Sequence, residues 1–375
     1  MSFIIGADIV PAESNLKSFN TGNMQDILDS DLLNLLIKFN YRIFNLECPL
    51  VDENSPIKKC GAAFKANTSV INGIKSLGVD LLTLANNHIM DQGSLGLEST
   101  INTLKNANIS FFGAGVDLEN ASKPFVFCVK GKKIGVYACA EHEFSIAGIN
   151  SPGANPYDPL ESFDHIEKIK KTCDYVIVLY HGGKEHYRYP SPLLQKICRK
   201  FIEKGANLVV CQHSHCIGCE EKYLSGTIVY GQGNFLFSSC TIASAQTSLL
   251  VAVDDSFVVS YVPLTKTENG VCLAKGDQAE QIISDFHIRS NQIKQNNFVE
   301  DEYTKFATKM LNHYLLKISG NSHKKIKMML NKLFNHRLTN FLGKNYYSEE
   351  ELLAIRNFIE CEAHRELIIR GLCKK

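Results

Sequence analysis

The sequence predicts an α/β protein in which a largely parallel sheet is layered with helices, followed by a helical appendage. From position 2 to about 264, short β-branched runs alternate with longer segments of helical apolar spacing, a pattern typical of βαβ units. After Thr265 the strands give way to a Lys- and Asn-rich region with helical spacing. We therefore expect one large domain at 1–264 and a mainly helical region at 265–375.

The predicted strands are Phe3–Ala7, Arg42–Leu46, Leu81–Ala85, Ile134–Ala140, Tyr175–Tyr180, Leu208–Cys211 and Thr227–Tyr230. The helices expected between them are Met24–Phe39, Thr68–Leu77, Ser94–Ala107, Pro159–Thr172 and Pro192–Lys204. Leu249–Pro263 is expected to add an antiparallel hairpin. The Gly, Pro and Asn content of 20–23, 52–61 and 149–156 predicts loops.

The last helix is predicted from its start signal. Ser348 and Glu351 have the spacing of a capping box, in which each side chain accepts a hydrogen bond from the backbone N–H of the other residue. Leu352, Leu353, Ile355 and Ile359 then form an apolar stripe at helical spacing. A helix is therefore expected to begin at about Ser348.

Composition limits the classes of partner and compartment. Forty basic and 39 acidic side chains give a net charge of +1, so no global field favours nucleic acid or an anionic membrane. The 13 cysteines are odd in number and mostly lie in apolar runs, which favours reduced, buried thiols. The amino terminus lacks the pattern of a signal peptide, and no apolar stretch reaches membrane-spanning length. A cytoplasmic protein without direct membrane insertion is expected.

Polar clusters follow most of the predicted strands. In chain order these residues are Asp8, Glu47, Asn86 to His88, His181, His213 and His215. Ligands of open α/β sheets bind outside the carboxyl ends of the strands, so these clusters are expected to meet in one crevice. Carboxylate oxygen, neutral imidazole nitrogen and amide oxygen are ligands of divalent cations, which predicts a metal site. In an extended strand, alternate residues project to one side, which would bring His213 and His215 to the same metal region.

Each of these residues also has an ordinary structural explanation. Asp8 suits a helix cap or a turn, Asn86 and Asn87 suit left-handed turn positions, and His181 suits a hydrogen-bonded structural histidine. Taken singly, the structural explanation is favoured for each. Taken together, it requires several coincidences at successive strand ends.

Six short blocks carry a family resemblance. In order, GADIVPAESN, NLECPL, LANNHIMDQG, VLYHGGKEH, CQHSHCIG and YGQGNFLF resemble the CapA (PGA-cap) capsule-synthesis family, which belongs to the metallophosphatase-like (calcineurin-like phosphoesterase) superfamily. The resemblance covers about residues 1 to 240. It implies a metallophosphatase-like layered α/β sandwich that holds one or two divalent metal ions, with manganese, zinc or iron as candidates.

The resemblance also implies roles by position. The metal ligands would be Asp8, Glu47, Asn87, His181, His213 and His215, with Glu47 as a bridging carboxylate. His88 matches the histidine that protonates the leaving group in such enzymes, and Asp91 is placed to orient its imidazole. The expected substrate-contact or supporting residues are Asn45, Glu185, His186 and Asn234.

Two departures and two further motifs leave alternatives open. Metallophosphatases open with DxH, whereas this chain has Val10, so the site would hold one metal, hold two with water or Glu13 filling the gap, or prefer a different metal. The second block is NLECP, where those enzymes have an aspartate followed by arginine. Cys216 and Cys219 have CxxC spacing, yet without a second pair they are interpreted as reduced cysteines. The basic run at 322–337 is interpreted as a solvated helix face.

Three functions are consistent with this sequence. The first is a metal-dependent, phosphoesterase-like hydrolase of an anionic small molecule or polymer, linked to capsule or poly-γ-glutamate biosynthesis. The second is amide-bond processing or transfer on poly-γ-glutamate or a capsular polymer. The third is a non-catalytic capsule-assembly component, in which the C-terminal helices contact a second copy or a partner of the capsule machinery.

Overall fold

The computed structural model describes residues 2–237, 242–318 and 347–360, together with 363–365, 368 and 372. The chain divides into two compact units, Met1–Val299 and Glu300–Lys375. The basic run at 322–337 lies outside the described residues. Among the helices that are described, none is both long and apolar enough to cross a lipid bilayer.

Two β-sheets form the centre of the first unit. The strands are β1 (Phe3–Ile9), β2 (Tyr41–Leu46), β3 (Leu81–Thr83), β4 (Ser110–Phe112), β5 (Ala114–Gly115), β6 (Phe125–Val129), β7 (Lys132–Ala140), β8 (Gly153–Ala154), β9 (Tyr175–His181), β10 (Leu208–Gln212), β11 (Glu220–Tyr223), β12 (Gly226–Val229), β13 (Asn234–Leu236), β14 (Thr247–Val253), β15 (Val259–Lys266) and β16 (Val271–Leu273). The larger sheet has the order β16-β15-β14-β1-β2-β3-β4, with β13 also beside β1; the smaller has the order β11-β12-β10-β9-β7-β6, and β5 pairs with β8.

Seven of the described helices lie between strands in the chain, and three come after the last strand. They are α1 (Leu16–Thr21), α2 (Ser30–Leu36), α3 (Ile71–Ser76), α4 (Gly93–Asn106), α5 (Leu118–Ala121), α6 (Ser162–Lys170), α7 (Pro192–Glu203), α8 (Gly276–Gln292), α9 (Phe298–Ile318) and α10 (Glu349–Glu360), with short 3-10 turns at Met24–Asp26, Thr68–Val70 and Ala243–Ala245. Side-chain caps mark the starts of α2, α5 and α7. At α7 the Ser191 hydroxyl accepts from Leu194 N, and Pro192 occupies the first turn.

The alternation of side chains along each strand builds the layers. In β1, Phe3 and Ile5 face the second sheet and join a core that includes Ile177 of β9. Ile4, on the opposite face, packs with residues of the helices, among them Leu32 of α2. Each such buried side chain contributes about 1.5–3 kcal/mol of hydrophobic stabilisation. Because both faces of these strands are apolar, both sheets are covered on both sides, and the result is a helix–sheet–sheet–helix sandwich.

The predicted layered α/β sandwich is confirmed, and all seven predicted strands overlap observed ones. The predicted hairpin is confirmed by the antiparallel pair β14 and β15, and the capping box by reciprocal bonds between Ser348 and Glu351 at 2.7 and 3.3 Å. The helix predicted at 24–39 is interrupted, because the Asp29 carboxylate caps α2 by accepting from Leu32 N. The parallel strands also belong to two sheets and not to one.

The boundary between the two units lies at 299/300, whereas the sequence predicted a change at 264/265. Helix α8 lies within the first unit. Its residues Ile282 and Phe286 pack with Leu249 of β14 and with Ile217, in the loop after β10. This contact buries the apolar stripe of α8 against the sheet, so the helix extends the first unit beyond the last strand.

Candidate metal centre

Strand register in the larger sheet brings three polar side chains side by side. Asp8 of β1 is paired with Asn45 of the parallel strand β2 and with Asn234 of the parallel strand β13. Glu47 directly follows β2, and its backbone N–H donates to Ile9 O at 3.0 Å. The carboxyl ends of parallel strands share one edge of a sheet, so these residues collect at that edge.

The smaller sheet contributes histidines to the same place. His181 is the last residue of β9 and is paired with Gln212, the last residue of β10. His213 and His215 follow β10 with φ angles of +81° and +53°. The prediction that they project from an extended strand is therefore wrong: left-handed backbone at both positions turns them toward the cluster. Such a conformation costs a non-glycine residue on the order of 1 kcal/mol, and strain of this kind concentrates at functional sites.

Three potential ligand atoms from the two sheets lie around a fourth, His181 Nε2. His181 Nε2 lies 3.0 Å from Asn87 Oδ1, 3.2 Å from Glu47 Oε1 and 3.2 Å from His213 Nδ1. One ring nitrogen carries at most one proton and cannot satisfy three neighbours. Ligand atoms held at roughly 2.1 Å from a divalent ion are themselves roughly 3.0–3.4 Å apart, so a shared cation fits this spacing.

A second, overlapping group adds His215. Potential ligand atoms of Glu47, His213 and His215 all lie within 4.8 Å of one another. His215 Nδ1 is 2.8 Å from Asn234 Oδ1 and 3.8 Å from Asp8 Oδ2. A proton on Nδ1 bonded to Asn234 leaves Nε2 as the ligand atom. Glu47 and His213 belong to both groups, which suits one ion or two neighbouring ions.

Unpartnered buried oxygens provide a test of whether these residues fit a cation. No described residue makes a hydrogen bond to either carboxylate oxygen of Glu47 or to Oδ2 of Asp8, and the His181 contact lies outside hydrogen-bond geometry. Both side chains are 0% exposed. Buried carboxylate oxygens without donors are costly, and a divalent cation is the partner that would satisfy them. The donor set therefore fits the metal that the sequence predicts.

Without a cation, burial and mutual interactions shift the pKa values of these side chains from their ordinary values. Burial, reinforced by Glu47, raises the pKa of Asp8 to about 7. Burial also opposes ionisation of Glu47, but His181 outweighs it and holds the pKa of Glu47 low, at about 2. Burial alone would lower the pKa of His181, yet Glu47 raises it. Burial and His181 hold the pKa of His213 well below its ordinary range, so that imidazole is neutral and ready to bind a metal.

Amide side chains orient the ligands. Asn87 Nδ2 donates to Glu143 Oε2 at 3.0 Å, which turns Asn87 Oδ1 toward His181. Asn45 Nδ2 donates to Asp8 Oδ1 at 2.7 Å, and Asn45 Oδ1 accepts from Asn86 Nδ2 at 3.0 Å. Asn45 is fully buried behind Asp8. Asn45 is therefore placed to hold the Asp8 carboxylate, and it has no exposed surface for contact with a substrate.

His88 and Asp91 lie beside the ligand cluster. His88 Nδ1 is 2.6 Å from Asp91 Oδ2, and the Asp91 carboxylate also accepts from Lys59 Nζ at 2.6 Å. Phe64 stacks on the His88 ring with centroids 4.2 Å apart. With its Nδ1–H directed at Asp91, the imidazole presents Nε2 as its second nitrogen. The His88 side chain is 13% exposed, so the ring is accessible at the edge of the buried cluster.

The remaining predicted residues are less closely joined to the cluster. His186 is exposed, and its ring centroid is 5.9 Å from that of His215. Glu185 is exposed and pairs with Lys184 at 3.6 Å, pointing to that lysine and not into the cluster. Val10 is buried in the apolar core, and the alternative donor Glu13 is exposed.

Sequence reasoning missed several of the described residues that contact this site, among them Lys59, Phe64, Glu141 and Glu143. Glu141 Oε1 accepts from Gly183 N at 3.1 Å, which anchors the loop after His181. Burial raises the pKa of the Glu141 carboxyl. Glu141 directly follows β7, so the strand-end rule that found the other residues would also have found this one. Lys59 and Phe64 carry no such signal because they lie in a long loop.

We expect cation binding to be coupled to proton release. In the metal-free protein Asp8 has a pKa of about 7 and His181 has a raised pKa, so protons compete with a cation below neutrality. Affinity for Zn²⁺ or Mn²⁺ should therefore increase from pH 6 to pH 8. Titration calorimetry in buffers of different ionisation enthalpy should show protons released on binding, and fewer for Asp8→Asn. An affinity independent of pH with no proton release would contradict this coupling.

The fold and the site together define a layered α/β protein with a candidate divalent-metal centre at the carboxyl ends of its strands. The model of the family described as "Bacterial capsule synthesis protein PGA_cap" matches residues 3–239. The match covers more than half of the chain, and the chain therefore belongs to this bacterial capsule synthesis family.

Curated relatives support the same assignment. The chain is 29% identical over 178 residues to capsule biosynthesis protein CapA of Bacillus anthracis, covering 46% of this chain and 43% of that protein. It is 30% identical over 176 residues to PGA biosynthesis protein CapA of Bacillus subtilis (strain 168), covering 46% of each. The chain thus spans less than half of the length of these relatives. A phosphatase structure from Mycoplasma pneumoniae is 14% identical, with a TM-score of 0.45 over 71% of this chain and 94% of that one.

Proposed function

We propose that this chain is a divalent-metal-dependent hydrolase whose substrate carries a phosphate ester or a comparable anionic group. The close approach of Glu47, Asn87 and His213 to His181 Nε2, at 3.0–3.2 Å, is the observation that carries this proposal. The unpartnered oxygens of Asp8 and Glu47 support it further. Structural ion-pair networks rarely leave buried carboxylate oxygens without donors.

The residues that would hold the metal are Asp8, Glu47, Asn87, His181, His213 and His215. A divalent cation there would supply Lewis acidity, neutralising charge on an anionic group and making water easier to deprotonate. Asn234 would hold the His215 ring, and Glu143 would hold the Asn87 amide. These contacts fix the donor atoms before substrate arrives, which is the condition for a preorganised site.

His88 is the proposed proton donor to the leaving group. Asp91 accepts the Nδ1 proton of His88, so the imidazole is held with Nε2 as the atom that delivers a proton. Phe64 covers one face of the ring and limits the approach of water there. Phosphate-ester cleavage leaves negative charge on the departing oxygen, and protonation by His88 removes that charge as it develops.

The exposed edge of the cluster indicates how a substrate would approach. The side chains of His88 and His215 are 13% and 12% exposed, whereas those of Asp8, Glu47 and Asp91 are 0% exposed. A substrate would therefore meet the imidazoles first and reach the acidic ligands only through a bound cation. Because the net charge of the chain is +1, attraction of an anionic group would depend on this local site.

Amide-bond hydrolysis or transfer on a γ-glutamyl polymer is the second candidate. Its support is the name of a relative, the PGA biosynthesis protein CapA of Bacillus subtilis. The same donor set would polarise an amide carbonyl, and His88 would protonate a departing nitrogen in place of an oxygen.

One assay series separates these functions. The purified chain is stripped with a chelator, reloaded with Mn²⁺, Zn²⁺ or Fe²⁺, and tested on bis(4-nitrophenyl) phosphate, 4-nitrophenyl phosphate and γ-glutamyl-4-nitroanilide. We expect hydrolysis of a phosphate ester that is lost on stripping and restored by reloading. Cleavage of the anilide alone would select amide chemistry. A chain that binds metal but cleaves none of the three would contradict the hydrolase proposal and favour an assembly role.

A further inference from the structure

The loop between β2 and α3 is fastened to the segment that carries His88. Residues 52–58 and 60–63 of this loop are mostly exposed. Ser55 N donates to Gln92 Oε1 at 2.7 Å, Ile57 N donates to Asp91 O at 3.0 Å, and Gln92 Nε2 donates to Phe64 O at 3.2 Å. The loop thus follows residues 91–92 along much of its length.

Lys59 turns inward, unlike the other charged side chains of residues 52–63. Its side chain is 3% exposed, whereas the adjacent Lys58 is exposed. Lys59 Nζ donates to Asp91 Oδ1 at 2.6 Å and to Asn87 O at 3.3 Å, and it lies 3.4 Å from His88 Nδ1. Burying a lysine ammonium group is costly because the charge loses its hydration. The burial of Lys59 next to an acid and an imidazole therefore requires an explanation.

The Asp91 carboxylate is shared among three donors. Oδ2 is 2.6 Å from both His88 Nδ1 and Phe64 N, and Oδ1 accepts from Lys59. Lys59 places a positive charge beside the Asp91 carboxylate, at 2.6 Å from Oδ1. Through Asn87 O it also joins this acid–imidazole pair to the backbone of a proposed metal ligand. The Lys59 ammonium group therefore helps to fix both the orientation of His88 and its distance from the metal centre.

We propose that Lys59 is a positioning residue for His88, which fixes the imidazole against Asp91 and relative to Asn87. This inference rests on the proposed function in assigning His88 the proton-donor role. Its physical content is independent of catalysis, because it states that the His88–Asp91 hydrogen bond depends on Lys59. Misplacement of a reacting group by about 1 Å can reduce turnover by about 100-fold.

The variants that test it are Lys59→Met, Lys59→Arg, the matched control Lys58→Met, His88→Ala and the double variant of Lys59→Met with His88→Ala. With a phosphate ester carrying a poor leaving group, Lys59→Met should lower kcat about 10- to 100-fold. KM and metal content should be retained. Lys59→Arg should recover part of the loss, and Lys58→Met should match the wild type. In the His88→Ala background, Lys59→Met should change kcat less than about twofold, because coupled residues are not additive.

A second readout does not require activity. In nuclear magnetic resonance spectra of the full chain, the Nδ1–H proton of His88 should give a slowly exchanging downfield signal, assigned by its loss in His88→Ala. The signal should persist in Lys59→Arg and disappear or exchange rapidly in Lys59→Met. An unchanged signal in a folded Lys59→Met protein overturns the inference, as does an equal kcat loss from Lys59→Met with and without His88. If the wild type cleaves no probe, the hydrolase proposal fails, and the imidazole signal alone still decides the role of Lys59.

Discussion

Glu47→Gln is expected to abolish metal-dependent activity and to weaken metal binding by at least about 100-fold, more than the loss of a residue that merely supports a ligand. Glu47 contributes oxygens to both overlapping ligand groups, and it is fully buried. Glutamine keeps the size of the side chain but replaces an anionic oxygen with an amide. The site then loses the charge that attracts a dication, while the surrounding packing is preserved.

Two measurements check this result. Elemental analysis after gel filtration should show metal in the wild type and little in Glu47→Gln. A ligand that binds only the folded state adds about 2.7 kcal/mol to the free energy of unfolding at a concentration 100 times Kd. Saturating metal should therefore raise the Tm of the wild type and leave that of Glu47→Gln nearly unchanged. Glu119→Gln is the matched control, since Glu119 is exposed and pairs with Lys123 on the surface. Full metal content and activity in Glu47→Gln would show that the proposed centre is not the metal site.

His88→Ala is expected to retain metal and to lose about 10²- to 10⁴-fold in kcat on esters with poor leaving groups, equivalent to about 3–5 kcal/mol of transition-state stabilisation. His88 contacts Asp91 and Phe64 and has no hydrogen bond in the ligand group around His181. Its removal therefore takes away a proton donor without removing a ligand. The loss should shrink with 4-nitrophenolate, which departs without protonation.

The dependence on the leaving group is the informative comparison. Rates of phenyl and 4-nitrophenyl esters should diverge more in His88→Ala than in the wild type. His287→Ala provides the control, because His287 is an exposed histidine of α8. A variant that loses equal activity with both esters would indicate that His88 acts in metal binding or folding instead of proton transfer.

Much of the architecture follows from local patterns. Strands such as β9 and β10 are continuous apolar runs, which is expected of strands covered on both faces. The same runs do not reveal how strands divide between sheets, because that division depends on which faces pack together over long sequence separations. The short strand β13 was missed, although its Asn234 was singled out, because three residues carry little periodicity.

The site was predictable where the strand-end rule applies and obscure elsewhere. Asp8 lies one residue before the end of β1, Glu47 follows β2 and His181 ends β9, and the structure brings them together. The left-handed backbone at His213 and His215 was not visible, because a histidine after a strand gives no sign of its φ angle. Lys59 was also missed. In sequence it is one of two adjacent lysines in a loop, and only the tertiary contact with Asp91 distinguishes it from Lys58.

The most direct test of the shared cation pocket is anomalous diffraction at the metal absorption edge from crystals of the chain grown with Mn²⁺ or Zn²⁺. We predict an anomalous peak within coordination distance of Glu47, Asn87, His181 and His213, and no such peak in Glu47→Gln crystals. Metal bound elsewhere on the protein, or those four side chains closed on one another with no metal between them under saturating conditions, would contradict the proposal.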